Sequence, residues 1–352
     1  MKIRMLGLAA LLLVCRAQAQ TMTPEEQSEA IRRLTEEVAA LKKEQTTAEK
    51  LRAALPTLSG YMQLRFTHDR DASEFSFKRV RLSLDGSITP KVDYKIQLEF
   101  AHVKILDAYV DYKPFTELKL RAGQFKIPFG IENTDYFPRS LELQDYPLAL
   151  QQLMAFSEVI GTENHVVKSS GREMGLSLSG DLCGGILSYD LALFNGAGIN
   201  TSDNNRPKDV VGRLMVRPVE GLTLAAAHYR GTYDKQHFER RRTALGACYD
   251  RGPVVVRSEY FVGKTGHEGY ALDSDGLYVL GGWRFHDHWM VAARYDTFTP
   301  DVDRRSESRQ SDYTCGLSWS PVKRLRLQLD YEHQDRPLHH DNVVKMQFTV
   351  SY

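Results

Sequence analysis

The stretch Val344-Lys345-Met346-Gln347-Phe348-Thr349-Val350-Ser351-Tyr352 closes the chain on an unbroken two-residue period. Val344, Met346, Phe348, Val350 and Tyr352 fall on one side, and Lys345, Gln347, Thr349 and Ser351 on the other. Successive side chains of a strand point to opposite faces, so this is a strand with one oily and one polar face. It ends flush on an aromatic. Soluble proteins rarely finish that way, whereas bacterial outer-membrane barrels commonly do, and their assembly machinery recognises that strand.

Upstream segments repeat the pattern. Val92, Tyr94, Ile96, Leu98 and Phe100 alternate with Asp93, Lys95, Gln97 and Glu99; Leu325, Leu327, Leu329 and Tyr331 alternate with Arg324, Arg326, Gln328, Asp330 and Glu332. A small closed soluble barrel would be apolar inside, so charges on the inner positions imply lipid outside and water within. Composition agrees. The 352 residues are 42% hydrophobic and 26% charged, with a mean hydropathy of −0.40, as expected of walls that are apolar at every second residue only. Lys and Arg number 46 against 45 Asp and Glu, which argues against a dedicated duplex-nucleic-acid binder. The most apolar stretch, Met5 to Val14, is too short to span as a helix, which excludes a polytopic helical membrane protein. Four cysteines, one of them in the leader region, fit neither a disulfide framework nor a zinc site.

Between 58–67 and 342–352 about sixteen strand-like segments follow one another. The reading is therefore all-β: an antiparallel transmembrane barrel of about sixteen strands over residues 57–352. Tight connections such as Thr89-Pro90-Lys91, Arg251-Gly252-Pro253 and Ser320-Pro321-Val322 alternate with longer polar ones, expected at 201–205, 233–242, 263–275 and 300–310. Tyr94, Tyr112, Trp283, Trp289, Trp319 and Tyr331 near strand ends suit interfacial belts.

The N-terminus reads as an address followed by a helix. Lys2 and Arg4, an apolar core and Ala17-Gln18-Ala19 predict a signal peptide over 1–19. Residues 20–56 carry Thr23-Pro24-Glu25-Glu26 as a helix start, then Ile31, Leu34, Val38 and Leu41 at coiled-coil spacing, and Pro56 as a stop. The stripe predicts a short self-associating periplasmic coil, with a surface helix docked on the following domain as the alternative.

A barrel of this size is too wide for its own side chains to fill. The very long connection from Pro128 to Gly171 is expected to fold inward and set the constriction, with Glu132, Asp135 and Arg139 as its charged members; an outer flap or a subunit contact is the alternative. Inward positions carry Arg65, Arg213, Arg257 and Arg294, set against acids such as Glu99, Asp111, Glu259 and Asp330, which predicts mild anion preference. Arg240-Arg241-Arg242 falls in an expected external loop, as an anion funnel, a lipopolysaccharide-phosphate contact or a solvated charge run.

Three stretches, Phe77-Lys78-Arg79-Val80-Arg81-Leu82-Ser83-Leu84-Asp85-Gly86, Asp107-Ala108-Tyr109-Val110-Asp111-Tyr112 and Arg121-Ala122-Gly123-Gln124-Phe125-Lys126-Ile127-Pro128-Phe129-Gly130-Ile131-Glu132, resemble the phosphate-selective porin O and P family of outer-membrane proteins. The resemblance runs from about residue 57 to the end. It implies a sixteen-stranded, usually trimeric channel with a basic lining. By that resemblance Lys78, Arg79 and Arg81 are the basic cluster on the second strand, Asp107 its acidic partner across the lumen, and Lys126 the constriction lysine, with Arg121 on the same anion path. Strand alternation turns Arg79 and Arg81 inward together and leaves Lys78 outward unless a bulge intervenes.

The expected function is passive, mildly anion-preferring diffusion of small solutes, phosphate among them, through an outer-membrane porin. Its partners are outer-membrane lipid, lipopolysaccharide, the barrel assembly machinery and two further copies in a homotrimer. No nucleic acid, cofactor, metal or catalytic residue is expected: Gly196-Ala197-Gly198 lacks a third glycine, and no nucleophile elbow or His-Glu-x-x-His string occurs. The rivals are a barrel enzyme of lipase or protease type, using His286-Asp287-His288 or His339-His340-Asp341, and a plugged structural or adhesion barrel.

Overall fold

A computed structural model describes Thr23, Glu25 and residues 28–39, 55–162 and 165–352. The expected leader and most of the expected later heptads lie outside the described residues. The chain divides at Pro56 into two units. In the first, 28–39 is helical, with Arg33 on Glu29 at 3.0 Å and Ile31, Leu34 and Val38 exposed along it.

The second unit is a closed antiparallel barrel of sixteen strands. Its first half comprises β1 (Thr57–His68), β2 (Ser73–Thr89), β3 (Val92–Glu99), β4 (Lys104–Phe115) and β5 (Leu118–Lys126). The chain then leaves the wall for a segment holding α1 (Glu132–Asp135), α2 (Leu148–Leu153) and the two-stranded pair β6 (Glu158–Val159) and β7 (Val166–Val167). It rejoins at β8 (Arg172–Leu182), followed by β9 (Leu187–Phe194), β10 (Asp209–Val216), β11 (Leu222–Tyr233), β12 (Phe238–Arg251) and β13 (Val254–His267). The wall ends with β14 (Tyr270–His286), β15 (Trp289–Thr299), β16 (Gln310–Val322), β17 (Leu325–Arg336) and β18 (His339–Ser351), with α3 (Arg305–Ser308) before β16. The terminal strand closes on the first: Phe348 pairs with Leu64, and Gly60 and Tyr352 exchange backbone hydrogen bonds at 3.2 and 3.0 Å. Closure leaves no sheet edge, which is what a strand assembly in hydrocarbon requires.

All sixteen expected strands are present, and the alternation holds: Leu329 and Tyr331 are exposed on the outer face while Gln328, Asp330 and Glu332 are buried within. Trp289 stacks on Trp319 and Phe285 at the tight-turn end. The expected long connections at 233–242 and 263–275 are instead strand. β12 begins at Phe238, and β13 and β14 meet in a turn at 268–269. Charged residues such as Glu239, Arg241, Lys264 and Asp273 interrupt the apolar alternation in these extensions, so a two-residue period was not displayed there. Lys78 is the extra residue of a β-bulge, since Gln63 pairs with Arg79 and Leu64 with Phe77. Bulges re-aim side chains: this is the exception the alternation allowed for, and Lys78 reaches Asp145 at 3.5 Å.

The inner face is not uniformly polar. Phe194, Val211, Tyr229, Phe261, Tyr278 and Phe298, on β9 to β15, pack with Leu141, Leu148, Leu150, Leu153 and Met154 of the 127–171 segment in one core cluster. Each apolar surface hides the other from water. Replacing outward Leu329 by Arg is expected to cost about 2–4 kcal/mol, read by denaturant titration in lipid vesicles.

Candidate functional site: the inserted segment and its vestibule

Carboxylates of the 127–171 segment meet arginines of the wall. Arg257 on β13, fully buried, donates to Glu132 at 2.9 Å and to Glu142 at 2.5 Å and lies 3.8 Å over the Tyr136 ring. Asp145 accepts from Arg65 at 2.9 Å and meets Lys345 at 3.1 Å as well as Lys78. Glu158 takes Arg240 and Arg242, each at 2.7 Å. Wall carboxylates return the favour to backbone donors: Asp330 accepts from Gln144 N–H at 2.7 Å and Asp296 from Leu148 N–H at 2.9 Å.

The Pro128-Phe129-Gly130 stretch has a specific purpose. Gly130 has φ +70°, and a Cβ there would come within 2.6 Å of the Glu259 carboxylate. With that space free, Glu259 accepts from the N–H groups of Ile131 and Glu132 at 2.5 and 2.9 Å. At the other end of α1, Lys126 Nζ donates to the carbonyls of Asn133 and Tyr136 at 2.7 and 2.8 Å. The Glu259 side chain at one end of this single turn and the Lys126 side chain at the other satisfy its orphan backbone groups.

Between this segment and the wall from β3 through β5 to β8, β9 and β10 lies a cavity of about 930 Å³, reaching the tight turns at Pro90-Lys91 and Thr116. Its lining carries Lys91, Lys95, Lys113, Lys119, Lys126, Arg121, Arg213 and Arg217 against Asp107, Asp135, Asp181 and Asp190, eight basic groups to four acidic. Arg121 is bidentate on Asp111 at 2.6 and 2.7 Å and stacks 3.7 Å over Tyr109. Asp135 is ion-paired to Arg213, yet burial pushes its carboxyl up.

Of the residues singled out from the sequence, Asp107, Arg121, Lys126 and Asp135 share this lining, while Lys78, Arg79, Arg81, Glu132 and Arg139 lie outside it. Arg79 donates to Gln63 at 2.9 Å, and Arg81 pairs with Glu99 at 2.8 Å. Asp107 sits two strands from Arg81 on the same arc, not across the lumen, and is held by Arg172 at 2.7 Å. Glu132 is turned onto Arg257 and away from the passage. Arg139 joins Lys323, Arg324 and Arg326 around a separate cavity of about 420 Å³. Arg240 and Arg242 are buried anchors for Glu158, while Arg241 alone faces outward, so the three do not form one exposed run. Glu142, Asp145, Glu158 and Arg172 were not singled out. The readable signal was an inserted connection rich in acids beside a wall rich in inward arginines.

The two histidine pairs are engaged elsewhere: His288 Nδ1 is 2.9 Å from the Ser320 carbonyl, and His340 is 3.0 Å from Asp335.

A lipid-facing closed barrel with a polar passage beside an inserted segment defines an outer-membrane porin. The family model for phosphate-selective porin O and P matches residues 59–351, and the chain belongs to that family. No curated protein matches it by sequence. Among solved structures it resembles an anion-selective porin from Comamonas acidovorans (13% identity, TM-score 0.64, covering 84% of this chain and 99% of that one). It also resembles the outer membrane channel DcaP of Acinetobacter baumannii (14%, TM-score 0.62, 84% and 97%). A third likeness is to the trimer form of OmpT, an outer membrane protein of Vibrio cholerae (11%, TM-score 0.58, 84% and 99%). At these identities the likeness concerns the fold.

The anchoring has a pH dependence. Burial pushes the Asp145 carboxyl up, but Arg65, Lys345, Lys78 and Arg79 together hold it well below the usual range. Glu158 is likewise raised by burial and brought below its ordinary value by Arg240 and Arg242. A depressed folded value means stabilisation present in full above the unfolded value near ~4 and lost as pH falls through the folded one. The protection of the 141–160 amides, taken as exchange relative to the intrinsic rate at each pH, should therefore stay high at neutral pH and fall below about pH 4. Glu158→Gln should show the lowered protection already at neutral pH, since stranding a buried charge costs about 3–5 kcal/mol.

Proposed function

We propose that this porin conducts small solutes with a mild preference for anions, and that its passage runs along the β3–β10 arc beside the inserted segment. The supporting observation is the charge of the vestibule, eight basic groups against four acidic. Lys95, Lys113, Arg121 and Arg213 are matched by Asp85, Asp93, Asp111 and Asp135, so the surplus at this mouth rests on Lys91, Lys119, Lys126 and Arg217. Low-dielectric walls focus its field and raise the local anion concentration, while weak repeated contacts let solutes leave. Arg79 extends the basic track beyond the vestibule, Arg81 is matched by Glu99, and Lys78 contributes to the field around Asp145. Asp107 and Asp135 temper it, and Glu132 and Arg139 hold the inserted segment. Phosphate fits this lining as one of several anions.

No catalytic role is assigned to the histidine pairs. The dense packing of the inserted segment favours a plugged structural barrel as the second reading. Planar-bilayer recording separates the two: stepwise ohmic openings support the pore, and a folded but silent barrel supports the plug. Replacing Arg79, Lys119 and Lys126 by Gln should move the reversal potential toward cation preference, and an unchanged potential would remove them from the path.

Residues 1–19 are proposed as a cleaved leader, and 20–56 as a periplasmic coil joining three barrels. Lipopolysaccharide surrounds the wall in this reading, and the assembly machinery engages the terminal strand. Deleting residues 22–55 should weaken the trimer on sizing in detergent while leaving the barrel's heat-modifiable migration on gels intact.

A further inference from the structure

The vestibule is basic, but much of its lining is not hydrophilic. Phe137, on the inserted segment, lines the cavity with 52% of its surface exposed. Its ring centre is 5.3 Å from Lys126 Nζ and 5.8 Å from the Arg139 guanidinium. Opposite, Tyr109 lies beneath Arg121 and is edge-on to Phe125, with ring centres 6.3 Å apart. Met215 adds a further apolar surface. An apolar ring left in contact with water at a solute mouth calls for an explanation, because the neighbouring core cluster buries comparable groups completely.

A tetrahedral inorganic oxyanion gains nothing from a phenyl face and loses hydration beside one. An anion with a flat apolar body gains on both counts: its carboxylate meets the cations while its ring covers Phe137. Lys126 spends two of its three donors on carbonyls and keeps one for a ligand. Lys119 lines the same cavity without a carboxylate in ion-pair reach among the described residues. Cation and ring are side by side, so one small solute can touch both.

We infer that the vestibule selects aromatic carboxylates over both small aliphatic carboxylates and inorganic phosphate. This rests on the proposed passage along the β3–β10 arc.

The test compares benzoate, acetate and inorganic phosphate on the full-length protein, by current block in bilayers and by saturation-transfer NMR in detergent. The NMR arm reads binding whether or not current flows. Benzoate should bind at about tenfold lower concentration than acetate. Phe137→Ala should bring the ratio to within about twofold, and Lys126→Gln should weaken both acids together. A ratio near one in the native protein, or a high ratio indifferent to Phe137→Ala, overturns the inference. A chloride reversal potential without anion preference, alongside Phe137-dependent benzoate binding, would overturn the selectivity proposed above and leave this one standing. Anion preference with equal binding of the acids would do the reverse.

Discussion

The inserted segment stays inside the barrel because its carboxylates have arginines to meet there. Arg257 serves Glu132 and Glu142 at once, Glu158 serves Arg240 and Arg242, and Asp145 sits among Arg65, Lys78 and Lys345. A charge taken out of water is costly unless paired and hydrogen-bonded. Neither partner therefore has a tolerable alternative once the barrel has closed around them. The segment's position is set by this mutual need, and the width of the passage follows from that position.

Pairing also decides where the charge surplus lies. An inward arginine contributes little to an anion path when a carboxylate sits on it. Arg65, Arg257, Arg240 and Arg242 hold structure, and Lys95 and Lys113 are matched by Asp85 and Asp93, whereas Lys119 and Lys126 line the vestibule without a carboxylate on them among the described residues. Counting inward charges strand by strand captures their number, but the field felt by a solute comes from what remains unmatched.

The apolar arc from β9 to β15 completes the arrangement. Ion pairs fix direction and register, and the contact of Leu150 and Leu153 with Phe261 and Phe298 removes water from between segment and wall. Lys126 shows how closely the parts are coupled. It lines the vestibule and at the same time fastens the C-terminal carbonyls of α1, so a change at this residue touches both the field and the shape of the mouth.

The wall was legible in the sequence. Lipid on one side and water on the other impose a two-residue period, and Val344–Tyr352 or Val92–Glu99 display it without reference to any other residue. The same alternation placed Arg79 and Arg81 inward. It does not decide where a local irregularity or a partner far along the chain does: at the Lys78 bulge, at the charge-interrupted strand extensions around 238–242, and at Arg240 and Arg242, whose neighbour Glu158 lies some eighty positions away. Periodicity reports the solvent on each side of a strand, so the sequence alone determined barrel, topology and the number of strands. Which charges cancel depends on distances between residues remote in sequence, so only the tertiary structure decided which basic groups remain to meet a solute.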